Sequence, residues 1–328
     1  MKLIRRFIGC LVVSGLSFAD ISTVQVLVLS KYHPQQVTIQ TRSRIFNFEP
    51  AQINSFSFSA EQEDDIGITV NGKETRIYRG EINLSWEDNE YRIINTTSME
   101  TYVAGVVVGE IGANPPSELV KAQAILARTY ARKVSNRELL SDLAYHQVFN
   151  GFDHHAAKLY SQTSSSAALY LWQGRDLADA LFHAQCGSAI YSPGQFWQSG
   201  NVFIARSLPE EMTLGDLWST GLSFNQLRET FNASGPLQRL DGHPETIRIA
   251  SQRFGVEQFR LSINRRFGWN TLPSNEFAVE PIGEGYRFTG RGHGHLVGLC
   301  QQQASQLAKK GWNAQQMLAI FYPGTVVR

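Results

Sequence analysis

The 328-residue chain is poor in cysteine, has no excess of charge of either sign, and carries at its N-terminus only a short apolar run. Each shortage excludes something. Three cysteines without a CxxC pair, and histidines without an HExxH spacing, remove the strong sequence signatures of a zinc site. The run from Phe7 to Leu16 is about ten residues, half of the roughly twenty that a membrane-spanning helix needs. Thirty basic residues against twenty-nine acidic ones leave no basic face of the kind that binds nucleic acid. There is no internal repeat and no low-complexity segment.

What precedes and follows the apolar run gives it a meaning. Lys2, Arg5 and Arg6 stand before it, and Ser17-Phe18-Ala19 places small residues at the minus-three and minus-one positions. This is the pattern of a secretory signal peptide over residues 1–19, cleaved before Asp20, and it predicts export to the periplasm or cell envelope. Loss of that segment removes three basic residues and no acid, so the mature balance is 27 to 29, a net −2. Cys10 leaves with the peptide. The two remaining thiols, Cys186 and Cys300, are compatible with a disulfide, a buried unpaired thiol, or a shared place in an active site.

With 42% hydrophobic residues, the chain has ample material for one large or two modest cores. Over residues 20–95 short alternating stretches such as VQVLVLS, QVTIQT, GITVNG and EYRIIN predict a β-rich region. Asn71-Gly72 and Asp88-Asn89 mark its turns. Beyond Asn95 the pattern becomes helical. Ser98 is placed to cap METYVAGVVVGEIG, with Met99, Tyr102, Val103, Val106 and Val107 as its apolar face. Pro115-Pro116-Ser117 ends that helix and starts another, with Ser117 as the expected cap. The second helix, Glu118 to about Lys133, is alanine-rich and reads as buried, leaving Lys121, Gln123 and Arg128 in need of partners. Residues 177–190 read as a strand entering a Cys-Gly turn, and about 200–280 as an insertion. Leu299–Lys310 reads as a helix ended by Gly311. A last helix starts at Asn313 with a capping box to Gln316 and a staple between Trp312 and Met317. The fold class predicted is α+β.

Two segments are chemically unusual. Glu110 is a lone acid at the end of an apolar run, preceded by Val106-Val107-Val108-Gly109 and followed by Ile111-Gly112. Far downstream, GRGHGHLVGLCQ from Gly290 to Gln301 gathers glycines, His293, His295 and Cys300. An acid in apolar surroundings stays protonated near neutral pH, which is what protonation of a poor leaving group requires. The bland alternative is a helix-end carboxylate paired with Lys121 or Arg128.

Three blocks in order, METYVAGVVVGEIGANPPSELVKAQAILARTYA, FHAQCGS, and GRGHGHLVGLCQQQASQLAKKGWNAQQMLAIFYPGT, resemble the signatures of the SpoIID/LytB family, named for stage II sporulation protein D. The resemblance covers roughly Asn95 to Arg328, making 96–328 a SpoIID-like domain. It implies peptidoglycan chemistry: lytic transglycosylases that cut glycan strands lacking stem peptides in the sporulation members, and enhancers of a cell-wall amidase in the LytB members. It implies that Glu110 is the catalytic acid and base, with Lys121, Gln123, Arg128, His183, Cys186, Gly187, His293, His295, Gly298 and Gln301 as residues of the groove. The sequence departs from the family pattern at Ser188, where a second glycine is usual. It departs again at Leu296, where a leucine replaces a glycine and threatens to crowd the groove.

Lone acids suit this chemistry, because a lytic transglycosylase lets the sugar's own 6-hydroxyl attack and so needs no second carboxylate. Some family members hold zinc through cysteine and histidine, but the cysteine-rich segment that would match is missing around His146. The adjacent His154 and His155 would point apart on a strand. No metal or other cofactor is therefore expected. Trp172, Tyr191, Phe196 and Trp197 are candidates for stacking on sugar rings, although such residues are more often core.

Overall fold

The computed structural model describes residues 22–59, 64–143, 145–197, 206–207, 214–242 and 245–328. The expected signal peptide and cleavage position lie outside these residues. Among them no helix is long and apolar enough to cross a membrane.

Alternation in the N-terminal region produces two sheets, antiparallel except where Leu140–Ser141 pairs in parallel with Thr23–Val28. The strands Val37–Gln40, Ile45–Phe48, Ile66–Val70 and Glu74–Tyr78 form a four-stranded sheet. Thr23–Val28, Ser55–Ser59, Glu81–Glu87, Glu90–Ser98 and Leu140–Ser141 form a five-stranded one. The stretch expected as one strand, RIYRGEINLSW, breaks at Arg79-Gly80 and gives a strand to each sheet. Both expected turns occur. Asn71 and Gly72 have φ of 52° and 63°, and Asp88 and Asn89 52° and 64°, the double left-handed geometry whose twist matches that of paired strands. Val24, Val26 and Val28 of one sheet and Ile66, Ile68 and Val70 of the other are buried in one cluster. That cluster takes in the apolar face of the first helix, α1 (Met99–Ile111), at Met99, Tyr102, Val103, Val106 and Val107.

α1 continues directly from the strand Glu90–Ser98. Ser98 is its cap, accepting from the Thr101 N–H at 3.1 Å. Ser117 does not cap α2 (Ser117–Ser135): it is the first helical residue, Pro116 holds the cap position, and no side chain bonds the free amides there. Proline at that position already supplies the extended backbone that a cap requires. α2 divides its faces between two cores. Val120, Ala124, Ala127 and Ala131 join the N-terminal cluster, while Leu119, Ala122, Ile125 and Leu126 join a second one with the C-terminal helices. α3 (His154–Ser164) then packs on α1 through Ala156 against Ala104.

The segment expected as a strand over 177–190 is instead broken into two-residue pieces at Asp176–Leu177, Phe182–His183 and Ala189–Ile190. The single turn α4 (Pro193–Phe196) follows. α5 (Phe224–Phe231) and α6 (Val256–Phe267) pack with short antiparallel sheets in a third cluster built mainly from residues 222–288, which Phe196 and Val297 join. α7 spans Gln301–Lys309, shorter than expected at its start, because Leu299–Cys300 pairs in parallel with Phe182–His183 before the helix begins. α8 (Ala314–Phe321) has the expected capping box between Asn313 and Gln316, and Met317 is buried in the second cluster with Trp312 against it.

Candidate active site

Glu110 lies in the last turn of α1, in a place created by the helix's small residues. A β-carbon added to Gly109 would lie 2.4 Å from the Val148 carbonyl oxygen, and one added to Gly105 would lie 2.3 Å from that of Gly151. The glycines at these two positions, one turn apart, let the backbone of residues 148–151 lie directly on the helix. That approach delivers the Val148 N–H, which donates to Glu110 Oε1 at 2.7 Å. Among the described residues no lysine or arginine pairs with the carboxylate. An edge of it reaches solvent, but its surroundings are apolar, and burial pushes the carboxyl from its ordinary 4.5 up to about 7. The Val148 N–H and the Gln301 side chain oppose that rise by favouring the charged form. Gln301 faces the carboxyl without closing a hydrogen bond through its Nε2.

The two cations considered as partners for Glu110 are committed elsewhere. Lys121 Nζ holds Glu118 at 2.6 Å, one turn back on its own helix, and Glu118 also accepts from the Ala314 N–H that opens α8. Arg128 is fully buried. It grips Glu100 with Nε and Nη2 at 2.8 and 2.6 Å, and donates to the carbonyls of Thr163, Ser166 and Leu169. Both residues are expected in the groove; in the structure Lys121 bonds within α2, to the Glu118 that ties α2 to α8, and Arg128 ties α2 to α1 and to the turn after α3. Gln123 is also fully buried on α2, and neither end of its amide has a partner among the described residues.

The second and third blocks meet along their backbones. His183 is opposite Cys300 in the two-residue parallel pair, Cys186 and Cys300 form a disulfide, and the Gln302 N–H donates to Ala184 O at 3.0 Å. The glycines of the third block serve this contact. Gly298, at φ 72°, would set a β-carbon 2.0 Å from Leu181 O, and Gly292, at φ 78°, one 2.3 Å from Cys186 O. The neighbour these two glycines admit is the second block itself. Leu296 keeps the glycine-like backbone, φ 67°, yet is fully buried, with its side chain directed at Gly187 in the interior. It therefore does not crowd a groove.

The histidines are held neutral. His183 Nδ1 donates to Val297 O at 3.2 Å, while the Val297 N–H donates to His295 Nδ1 at 3.1 Å, so the backbone of one residue, Val297, fixes both rings, whose centroids are 5.9 Å apart. Burial pushes each down to about 3, with the neighbouring His295 adding to the effect at His183 and Arg260 adding to it at His295. His293 is half-buried and lowered for the same first reason, and its backbone exchanges two hydrogen bonds with Gln185. Neutral rings at neutral pH exclude a role as standing cations.

The three blocks thus form a connected chain of contacts: Glu110 faces Gln301, Gln301 follows Cys300, and Cys300 is joined to Cys186 and opposite His183. Ile111, beside Glu110, packs on the cluster that contains both cysteines. Of the aromatic candidates, Phe196 is buried core and Tyr191 is bonded to Glu276 Oε2 at 2.9 Å. Trp172 donates to Arg328 O, whereas Trp197 stands edge-on to His295 at 5.5 Å. His154 and His155 do not point apart: they begin α3 with ring centroids 3.7 Å apart. Together with Asp153 they offer ligand atoms within 4.8 Å of one another. The Asp153 carboxylate is engaged there as the helix cap, accepting from His155 and Ala156 N–H. Sequence reasoning missed Val148, whose only signal was the glycine spacing on α1, and Glu276, which accepts from the Ser188 N–H at 2.7 Å.

Comparison with known proteins agrees with the blocks. Residues 87–170 match the family described as stage II sporulation protein, SpoIID, which bears out the resemblance read from the sequence. The chain is 27% identical over 293 residues to an uncharacterized protein of Brachyspira hyodysenteriae, covering 80% of this chain and 74% of that one. It is 25% identical over 268 residues to stage II sporulation protein D of Bacillus subtilis, covering 71% and 75%.

Proposed function

We propose that the protein is an exported lytic transglycosylase of peptidoglycan glycan strands, with Glu110 as its single acid and base. The SpoIID likeness supports a function in the cell wall. The observation that carries the finer reading is a carboxyl without a cationic partner, raised to about 7 by burial and touched only by groups that favour its charged form. Such a group is protonated in a useful fraction near neutral pH and is not too reluctant to give the proton up.

In the reaction the Glu110 carboxyl gives its proton to the glycosidic oxygen, and the bond from that oxygen to the anomeric carbon breaks. Positive charge develops at the anomeric carbon and ring oxygen. The 6-hydroxyl of the same sugar then attacks the anomeric carbon, and its proton passes to the Glu110 carboxylate. This closes a 1,6-anhydro ring, consumes no water and restores the acid. Val148 N–H and Gln301 are placed to steady the carboxylate between the two transfers.

The test is incubation of the mature protein with peptide-free glycan strands, followed by mass spectrometry. New 1,6-anhydro ends are expected from the parent chain and not from Glu110→Gln. Their absence from the parent overturns the reading. If the parent makes none, but both chains bind sacculi and stimulate a cell-wall amidase alike, the protein is a non-catalytic enhancer.

A further inference from the structure

We propose that the Cys186–Cys300 disulfide is a positioning device for the Glu110 carboxyl: it fixes the start of α7 so that Gln301 stands against that carboxyl. This rests on the reading of Glu110 as the acid, and concerns what holds its neighbour in place.

The regular structure leading into α7 is short. The strand pair that leads into α7 is two residues long, Phe182–His183 against Leu299–Cys300. The cap position of α7 is Cys300 itself, which offers no side-chain hydrogen bond to the helix. A helix beginning this way is normally anchored by a serine, threonine or aspartate oxygen, worth about 1 kcal/mol. Here the residue at the cap is bonded covalently to Cys186, across 114 positions of sequence. Both cysteines are buried at 1% exposure, in the cluster against which Ile111 packs. The cross-link therefore ties the second block to the residue before Gln301, within the cluster against which the residue after the acid packs. A further tie at the start of α7 is the bond from Gln302 N–H to Ala184 O.

Few groups act on the carboxyl, so a displacement of Gln301 should register in it. Among the described residues these are the Val148 N–H, from the loop against α1, and Gln301, from α7. No charged side chain adds to these. Gln301 favours the charged carboxylate, so withdrawing it moves the titration upward.

The test follows the Glu110 carboxyl directly, by carbon NMR of protein labelled at glutamate side chains, with Glu110→Gln assigning the signal. Gln301→Leu is expected to raise the midpoint by several tenths of a pH unit, and Cys186→Ser with Cys300→Ser to raise it comparably. Combined, the three substitutions are expected to add nothing further. The proposal is overturned if loss of the cross-link leaves the midpoint in place while Gln301→Leu moves it. It is also overturned if the cross-link still acts when Gln301 is gone. Should the double serine chain fail to fold, Cys186→Ala with Cys300→Val keeps the apolar volume and reads the same midpoint. The readout needs no turnover, so absence of transglycosylase activity would leave it intact, and its failure would leave the activity assay unaffected.

Discussion

The two halves of the candidate site are built by different means. Glu110 is delivered by helices: an apolar face seats α1 on the sheets, α2 packs beside it, and one pair of glycines admits the loop that supplies Val148. The half contributed by residues 181–301 has almost no regular structure at the contact. It is held by backbone pressed on backbone, by two rings bonded to the backbone of one residue, Val297, and by a disulfide. Side-chain burial can be re-optimised after a small substitution, whereas a carbonyl lying on a glycine leaves nothing to adjust. The helical half should therefore tolerate change except at its acid, at Gly105 and Gly109 and at the buried Arg128, and the irregular half should fail at many small changes.

The largest effect is expected at the acid. Glu110→Gln should lower formation of 1,6-anhydro ends ~10²–10⁴-fold, the usual worth of a positioned acid and base. In the parent chain kcat/KM should fall above about pH 7, because the starting state needs the protonated form. The same burial predicts a stability signature. The folded value lies above the ordinary 4.5, so the native state carries a penalty that is complete above about 7 and absent below 4.5. Chemical denaturation at pH 8 should find Glu110→Gln more stable than the parent by ~1–3 kcal/mol, and at pH 4 no different. Equal stability at both values would mean that the carboxyl is not desolvated.

Arg128→Ala comes next and sharpens the contrast within the helical half. It strips a fully buried set of donors from Glu100 and three carbonyls, which should cost about 3–5 kcal/mol in urea unfolding. Whatever protein remains folded should keep the pH profile of the parent. A changed profile with intact stability would return Arg128 to the groove. Gly298→Ala tests the other half. With φ at 72° and Leu181 O in the way, it should cost ~2–4 kcal/mol, visible as a lower thermal midpoint, although the substitution adds one methyl group. A neutral result would remove the reason given for that glycine.

How much of this was legible in the sequence follows the same division. Periodicity found α1, its Ser98 cap, both hairpin turns and the α8 capping box, because each depends on residues within a few positions. It misread 177–190 as a strand entering a Cys-Gly turn, since those residues pair in pieces of two with three separate partners: Trp172–Gln173, Arg206–Ser207 and, more than a hundred positions away, Leu299–Cys300. The ordered blocks picked out Glu110 and Gln301, which do meet. They did not separate residues that face the acid from residues that hold the blocks together: Gly298 and Arg128 satisfy backbone groups, and nothing local to either says so. Leu296 looked like an obstruction because only its identity was visible, while its left-handed φ and inward side chain come from the tertiary contact.

Lys121 offers the smallest effect and a clean decision between the two roles that α2 was given. Its side chain is 38% exposed and its partner Glu118 31%, so the pair is screened by water and contributes at most ~0.5–1 kcal/mol. Glu118 keeps its second bond, to the Ala314 N–H, when the lysine is removed. Lys121→Ala should therefore shift the denaturation midpoint slightly and leave glycan cleavage within about twofold of the parent, since no step of the proposed reaction runs through it. A tenfold rise in KM with unchanged stability would show that the ammonium leaves Glu118 to meet the glycan. The helical half would then carry a second functional residue, and the division between a tolerant scaffold and its single acid would have to be redrawn.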